Sequence, residues 1–190
     1  MACREIDLIV IHCSATRADR CFTEHDLEAA HRRRGFNGCG YHFYIRKNGD
    51  IKTMRPVGRI GAHARGCNAR SIGICYEGGL DEKGRPADTR TGWQRHSLRV
   101  LVRTLLLDYP GCRICGHRDL SPDLNGNGEI ELEEWIKQCP CFEVAKEFNE
   151  FGAFADRTDE TGSTEKHRVI RHIKEQKGGK YGRQEHSCCS

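Results

Sequence analysis

No stretch of the chain is long and apolar enough to cross a membrane. The amino-terminal MACREIDLIV has one arginine followed by acids where a secretory signal would have a basic start and an apolar segment. A membrane insert and a cleaved leader are therefore not expected, and cytoplasmic synthesis is the default. Cys3 likewise lacks the apolar segment that a lipoprotein signal requires. There is no internal repeat, so solenoids and propellers are not expected. Neither sign of charge dominates: 31 Lys and Arg against 27 Asp and Glu leave a net charge of +4. That balance favours an anionic partner, nucleic acid or an acidic polymer, no more than it favours a solvated surface. Without export, the twelve cysteines are expected to be reduced thiols, most of them small buried hydrophobes rather than a disulfide framework.

With 190 residues and 37% apolar content, the chain can bury one ordinary core. The patterning predicts one catalytic domain over 1–152. Beyond it, RTDETGSTEK and KEQKGGKYGRQEHSCCS are polar and without periodicity, and predict a flexible polar, basic tail over 153–190. VIRHIKEQ within it has the composition of a transient helix. In the domain, Ile6 to His12 is almost continuously apolar, as in a strand covered on both faces. Thr23, Glu24 and Asp26 start a short helix that Gly35 stops. GYHFYIRKNGDIKTM predicts a β-hairpin turning at Asn48-Gly49, with Tyr41, Phe43 and Ile45 on one face. SIGICY, Ser71 to Tyr76, is a second buried strand. Thr91 and Gln94 form a capping box, and Leu98, Leu101, Val102, Leu105 and Leu106 follow at helical spacing. Pro110-Gly111 ends that helix, and CRICGH predicts another strand. The expected fold is α/β, a central mixed β-sheet flanked by helices with a cleft at the strand ends.

Three residues stand where such elements end: His12 closes IVIH, His117 closes CRICGH, and Cys139 lies in KQCPCF. Two imidazoles and a thiolate are ligand types that zinc prefers, and three protein ligands leave a fourth position for water, which separates catalytic from closed structural sites. Ten histidines and twelve cysteines supply many such triples by chance. A rim histidine held by a hydrogen bond and a cysteine buried before proline are the plainer alternatives.

The blocks around these residues carry further information. IVIHCSAT, GYHFYIRKNGDI, IGAHARGCNARSIGICYEGG, GHRDLSP and KQCPCF, in that order over roughly residues 6–145, resemble the zinc-dependent N-acetylmuramoyl-L-alanine amidases of type 2. The likeness is greatest to their compact bacteriophage lysozyme branch, which is similar in fold to peptidoglycan recognition proteins. The resemblance implies hydrolysis of the amide between N-acetylmuramic acid and L-alanine of the peptidoglycan stem, acting on peptidoglycan or muropeptides, with no nucleic acid expected and a monomer as the working state. For a protein made without a signal, a holin-type route to the wall and cytoplasmic recycling of imported muropeptides are equally open. On matching positions His12, His117 and Cys139 are the zinc ligands, and Tyr41 and Lys137 the catalytic pair.

Elementary chemistry agrees with those roles. Amide hydrolysis passes through a tetrahedral oxyanion, so a site needs an activated water and fixed positive charge where the oxyanion grows. A Lys137 ammonium and a Tyr41 hydroxyl are suited to the second task. Set against this, Tyr41 also suits a core aromatic, and Lys137 a solvated helix-end charge. His63 in GAHARG, with Asn68 and Arg70 in the following loop, are candidates for substrate contact, His63 also for orienting water or for a structural role. Regular alternation would turn His42 away from Tyr41 and out of the site. Cys112 and Cys115 form a lone CxxC read, with Cys13, Cys67 and Cys75, as packing. Cys141 is the rival of Cys139, which the family pattern favours because its ligand precedes the proline.

DLNGNGEIELEE, 123–134, departs from the compact relatives. It fills the calcium-loop pattern with Asp123, Asn125, Asn127, Glu129 and Glu134 as oxygen donors and Gly128 at the sharp turn. The alternative is an Asn/Gly turn capping a short acidic segment. A bound Ca2+ would stiffen the segment carrying Lys137 and Cys139. Two further function classes remain in view: a non-catalytic peptidoglycan-binding module using the same cleft, and a calcium-responsive interaction protein.

Overall fold

A computed structural model describes residues 4–152. The predicted tail over 153–190, VIRHIKEQ included, lies outside the described residues. In chain order the elements are β1 (Leu8–Cys13), β2 (Thr16–Arg17), α1 (Glu24–Arg33), β3 (Phe43–Ile45), β4 (Ile51–Thr53), β5 (Ser71–Tyr76), β6 (Gly79–Leu80), α2 (Gly92–Asp108), β7 (Arg113–Gly116) and α3 (Val144–Gly152). The main sheet has the order β4-β3-β5-β1-β7, with β4 antiparallel to β3 and every other pairing parallel. β2 and β6 form a separate two-stranded parallel ribbon. This is the mixed α/β sheet with helices expected from the sequence.

All residues of β1 and β5 are buried, because both faces of the sheet are covered. Alternation sorts their side chains. Ile9, Ile11, Ile72, Ile74 and Tyr76 share one core with Leu98, Leu101, Val102 and Leu105 of α2 and Val144 and Phe148 of α3. The opposite face carries two smaller clusters, Leu27 of α1 with Cys39, Tyr44 and Cys75, and Leu8 with Val10 and Cys115. His12, in register with Cys75, falls on this second face. A side chain such as Leu98, with no exposed surface, contributes about 1.5–3 kcal/mol through burial.

The predicted capping box of Thr91 with Gln94 forms, and the predicted helix start at Thr23 is a second capping box, with Asp26. The Gln94 amide also donates to the carbonyls of Ile45 and Glu77, tying the start of α2 to the ends of β3 and β5. The hairpin forms, but its turn differs from the prediction. Arg46 N–H donates to the Asp50 carbonyl and Gly49 N–H to the Arg46 carbonyl, so Lys47, Asn48 and Gly49 make a three-residue loop with Gly49 at φ 89°. β3 begins only at Phe43, so strict alternation does not reach Tyr41. That residue packs with the Leu27 and Tyr44 cluster, not with Phe43 and Ile45. α3 and the short ribbon are additions to the predicted elements; Val144 and Phe148, four apart and both buried, are the sequence signal for α3.

Candidate metal centre

Three segments converge beside the carboxyl end of β1. His12 is its penultimate residue, with no exposed surface. His117 follows β7 directly, its N–H donating to the Ile11 carbonyl at 3.1 Å. Cys139 sits in a segment without regular structure, so its position depends on individual contacts. Its carbonyl accepts from Arg118 N–H at 2.8 Å, and the next carbonyl, of Pro140, accepts from the buried Tyr76 hydroxyl at 2.6 Å. The Cys139 sulfur accepts from Cys13 N–H at 3.3 Å. One ligand atom from each of His12, His117 and Cys139 lies within 4.8 Å of the others. Among the described residues this is the grouping of histidine, cysteine and acidic side chains that could hold a metal ion.

The electrostatics favour neutral imidazoles. Burial, reinforced by His63, His117 and Lys137, holds His12 well below the ordinary histidine range. Burial and the Lys137 charge bring His117 down to about 4. Lone pairs are therefore available on both rings at neutral pH, as metal ligation requires.

The other predicted residues divide into those near this centre and those away from it. The Tyr41 ring lies 5.0 Å from that of His12, and burial pushes its phenol well above the ordinary range, so it remains a hydrogen donor. Lys137 is exposed, yet its charge acts on both His12 and His117. His63 touches His12 directly, Nδ1 to Nε2 at 3.0 Å. Asn68 faces the loop that bears His63: its carbonyl oxygen accepts from the N–H groups of His63 and Ala64. Arg70 stands apart, paired with Asp7 at the amino end of β1. Cys141, the rival ligand, donates to the Gly79 carbonyl and meets Cys13 at 3.9 Å, outside the grouping. Cys112 and Cys115 pack on opposite faces of the sheet and cannot act as a pair.

Two further histidines support the site without standing among the predicted residues. His42 accepts from Gly73 N–H and stands 5.7 Å from the His63 ring, backing the site from behind. His31 accepts from Gly40 N–H and packs 5.3 Å from Tyr41. Its position four residues after buried Leu27 is the available signal.

In the 123–134 loop the oxygens are bonded to backbone amides. Glu134 accepts from the N–H groups of Leu124, Asn125 and Glu131, and Asp123 from those of Gly126 and Gly128. Asn125 and Asn127 accept from the N–H two residues on, the second of these being that of Glu129. This is the capped-turn alternative, and no contact in the loop favours calcium over it.

Comparison with known proteins identifies the family. The profile of the family described as N-acetylmuramoyl-L-alanine amidase matches residues 2–140. The endolysin of Escherichia phage T7 is 34% identical over 74% of this chain and 83% of its own length. Among solved structures, the N-acetylmuramoyl-L-alanine amidase LysC from Clostridium intestinale superposes with a TM-score of 0.59 at 30% identity, covering 77% of this chain and 85% of that one. A point mutant of the Drosophila peptidoglycan recognition protein PGRP-LB, in complex with tracheal cytotoxin, shares the fold at 22% identity and a TM-score of 0.58, covering 77% of this chain and 82% of that one. With the family profile matching residues 2–140 and a phage endolysin 34% identical over 74% of the chain, the chain belongs to the type 2 N-acetylmuramoyl-L-alanine amidase family.

Proposed function

We propose that this protein is a zinc-dependent hydrolase that cleaves the amide bond between N-acetylmuramic acid and L-alanine in peptidoglycan or muropeptides. The observation that carries the proposal is the convergence of His12, His117 and Cys139. Zinc bonds of about 2.0 Å to nitrogen and 2.3 Å to sulfur at a tetrahedral angle imply a nitrogen–sulfur edge of roughly 3.6 Å. The His12 Nδ1 to Cys139 Sγ separation of 3.9 Å is close to that edge. Neutral imidazoles and a sulfur already accepting a backbone N–H complete a donor set that suits this ion. Bound there, zinc would supply Lewis acidity and a water of lowered pKa.

The chain's own groups account for the rest. The half-buried Tyr41 phenol, its pKa raised well above the ordinary range and so protonated at working pH, donates a hydrogen bond towards the substrate carbonyl. The Lys137 ammonium supplies positive charge where the oxyanion develops. The carboxyl ends of the strands receive the glycopeptide; of the three substrate-contact candidates, His63 and Asn68 stand beside the metal centre with contacts that suit supporting roles, whereas Arg70, paired with Asp7 at the amino end of β1, lies away from it. Among the described residues no helix is long and apolar enough to cross a membrane, in keeping with action on the wall from an aqueous phase.

The test is a muropeptide digestion followed by mass spectrometry, on metal-analysed protein with and without chelator. Expected are one zinc per chain, free stem peptides beginning with L-alanine, and loss of both in Cys139→Ser. Zinc-loaded protein that retains peptidoglycan but releases no peptide would instead support the non-catalytic binding module.

A further inference from the structure

We propose that His63 is a positioning residue for the metal: it keeps the His12 proton on Nε2, so that Nδ1 presents its lone pair beside Cys139. The inference rests on the zinc reading above. It follows from counting hydrogens along a chain of contacts. The Ser71 hydroxyl donates to the Cys67 carbonyl at 2.7 Å. Its only hydrogen is thereby engaged, so towards His63 Nε2, 3.4 Å away, it can only accept. His63 thus carries its proton on Nε2, leaving Nδ1 an acceptor. Across 3.0 Å from that acceptor stands His12 Nε2, which must hold the hydrogen, because two lone pairs at this distance repel. A neutral imidazole with Nε2–H has its lone pair on Nδ1, and this is the atom 3.9 Å from Cys139 Sγ.

The ring of His63 is locked in this orientation from several sides. Gly61 and Gly73 flank it so closely that a Cβ on either would lie 2.6 Å from its Cδ2. Asn68 holds its backbone N–H. His42 packs edge-on behind it and accepts from Gly73 N–H. A cradle in which only glycine fits, aimed at a ligand histidine, is a construction for orienting that ligand. Ligating histidines commonly depend on such partners to fix the ring and its tautomer.

The experiment compares zinc affinity, by competition with a chromophoric chelator, among native protein, His63→Asn and His63→Leu. Asparagine places an acceptor oxygen where Nδ1 stands; leucine places a methyl group there. Native protein and His63→Asn should agree within about threefold, and His63→Leu should bind roughly 10–100-fold more weakly. Ring nitrogen–proton correlation spectra of zinc-loaded native protein should show His12 protonated on Nε2 and metallated on Nδ1, a readout independent of whether the leucine variant folds. A His12 proton on Nδ1, or His63→Leu binding zinc as tightly as native protein, would overturn the inference alone. Native protein that takes up no zinc would overturn the zinc reading and this inference with it.

Discussion

Lys137 depresses the protonation of two histidines from an exposed position, so its charge reaches the centre without being buried there. That separates its role from ligation. Lys137→Ala should retain zinc and lose activity by about 10²–10³-fold, the cost of removing one group that stabilises an oxyanion; full activity in zinc-replete Lys137→Ala would exclude the lysine from the reaction. Gly73 makes the complementary case, where the requirement is for no side chain at all. A methyl at Gly73 meets three atoms of the His63 ring at 2.6–2.8 Å. Gly73→Ala should therefore cost about 1–3 kcal/mol of stability through overpacking and weaken zinc binding as well, measured by urea unfolding and chelator competition. The three members of the His-His-Cys grouping are legible in the sequence because each stands in a distinct block. The role of His63 is not, since it depends on the Ser71 hydrogen being taken by the Cys67 carbonyl, a fact of three-dimensional contact.

Among the elements, strands β1 and β7 place the two histidines by ordinary parallel pairing, whereas Cys139 is placed by a segment with no ladder of its own. Tyr76 supplies the anchor, reaching from the core side of β5 to the Pro140 carbonyl. Tyr76→Phe removes that bond and leaves a buried carbonyl unpaired, at about 1–3 kcal/mol. The expected signature is faster zinc release with little change at His12 or His117, read by stopped-flow chelation; an unchanged release rate would mean the segment is fixed by its other contacts. Helix caps and buried strands are readable from the sequence because their signals are local. The hairpin turn differs by one position from the sequence expectation because Gly49 accommodates φ 89° in either turn type, and only the Arg46–Asp50 pairing decides between them. α3 goes unpredicted because its signal is little more than one apolar pair, Val144 and Phe148 four apart, a pattern too short to mark a helix by itself.

For the whole molecule, several buried histidines make stability depend on pH in a direction that can be worked out. Burial brings His31 and His42 down to about 4, and His63 to about 3. In the unfolded chain the same side chains take up protons near pH 6.5. Between those values the unfolded state binds more protons than the native one, so the stabilisation is complete above about 6.5 and is lost as pH falls towards 4. Each group contributes at most about 1.4 kcal/mol per pH unit in that window. Calorimetry of metal-free protein should show the melting temperature falling steadily from pH 7 to pH 4.5; a flat profile would mean that these rings are solvated. The fold class is legible from the alternation of buried strands with capped helices, whereas the excursion over 123–134 fits a calcium loop in sequence and forms a capped turn in the structure. That excursion is closed at its base. Ile136 N–H donates to the Ser121 hydroxyl across fifteen residues, and Trp135 stacks on the Arg118 guanidinium at 4.0 Å. Exit and re-entry points are thus stapled together independently of what lies between them. A short linker, an epitope or a fluorophore-bearing peptide could take the place of residues 123–133, making this the natural grafting point for a reporter on the chain.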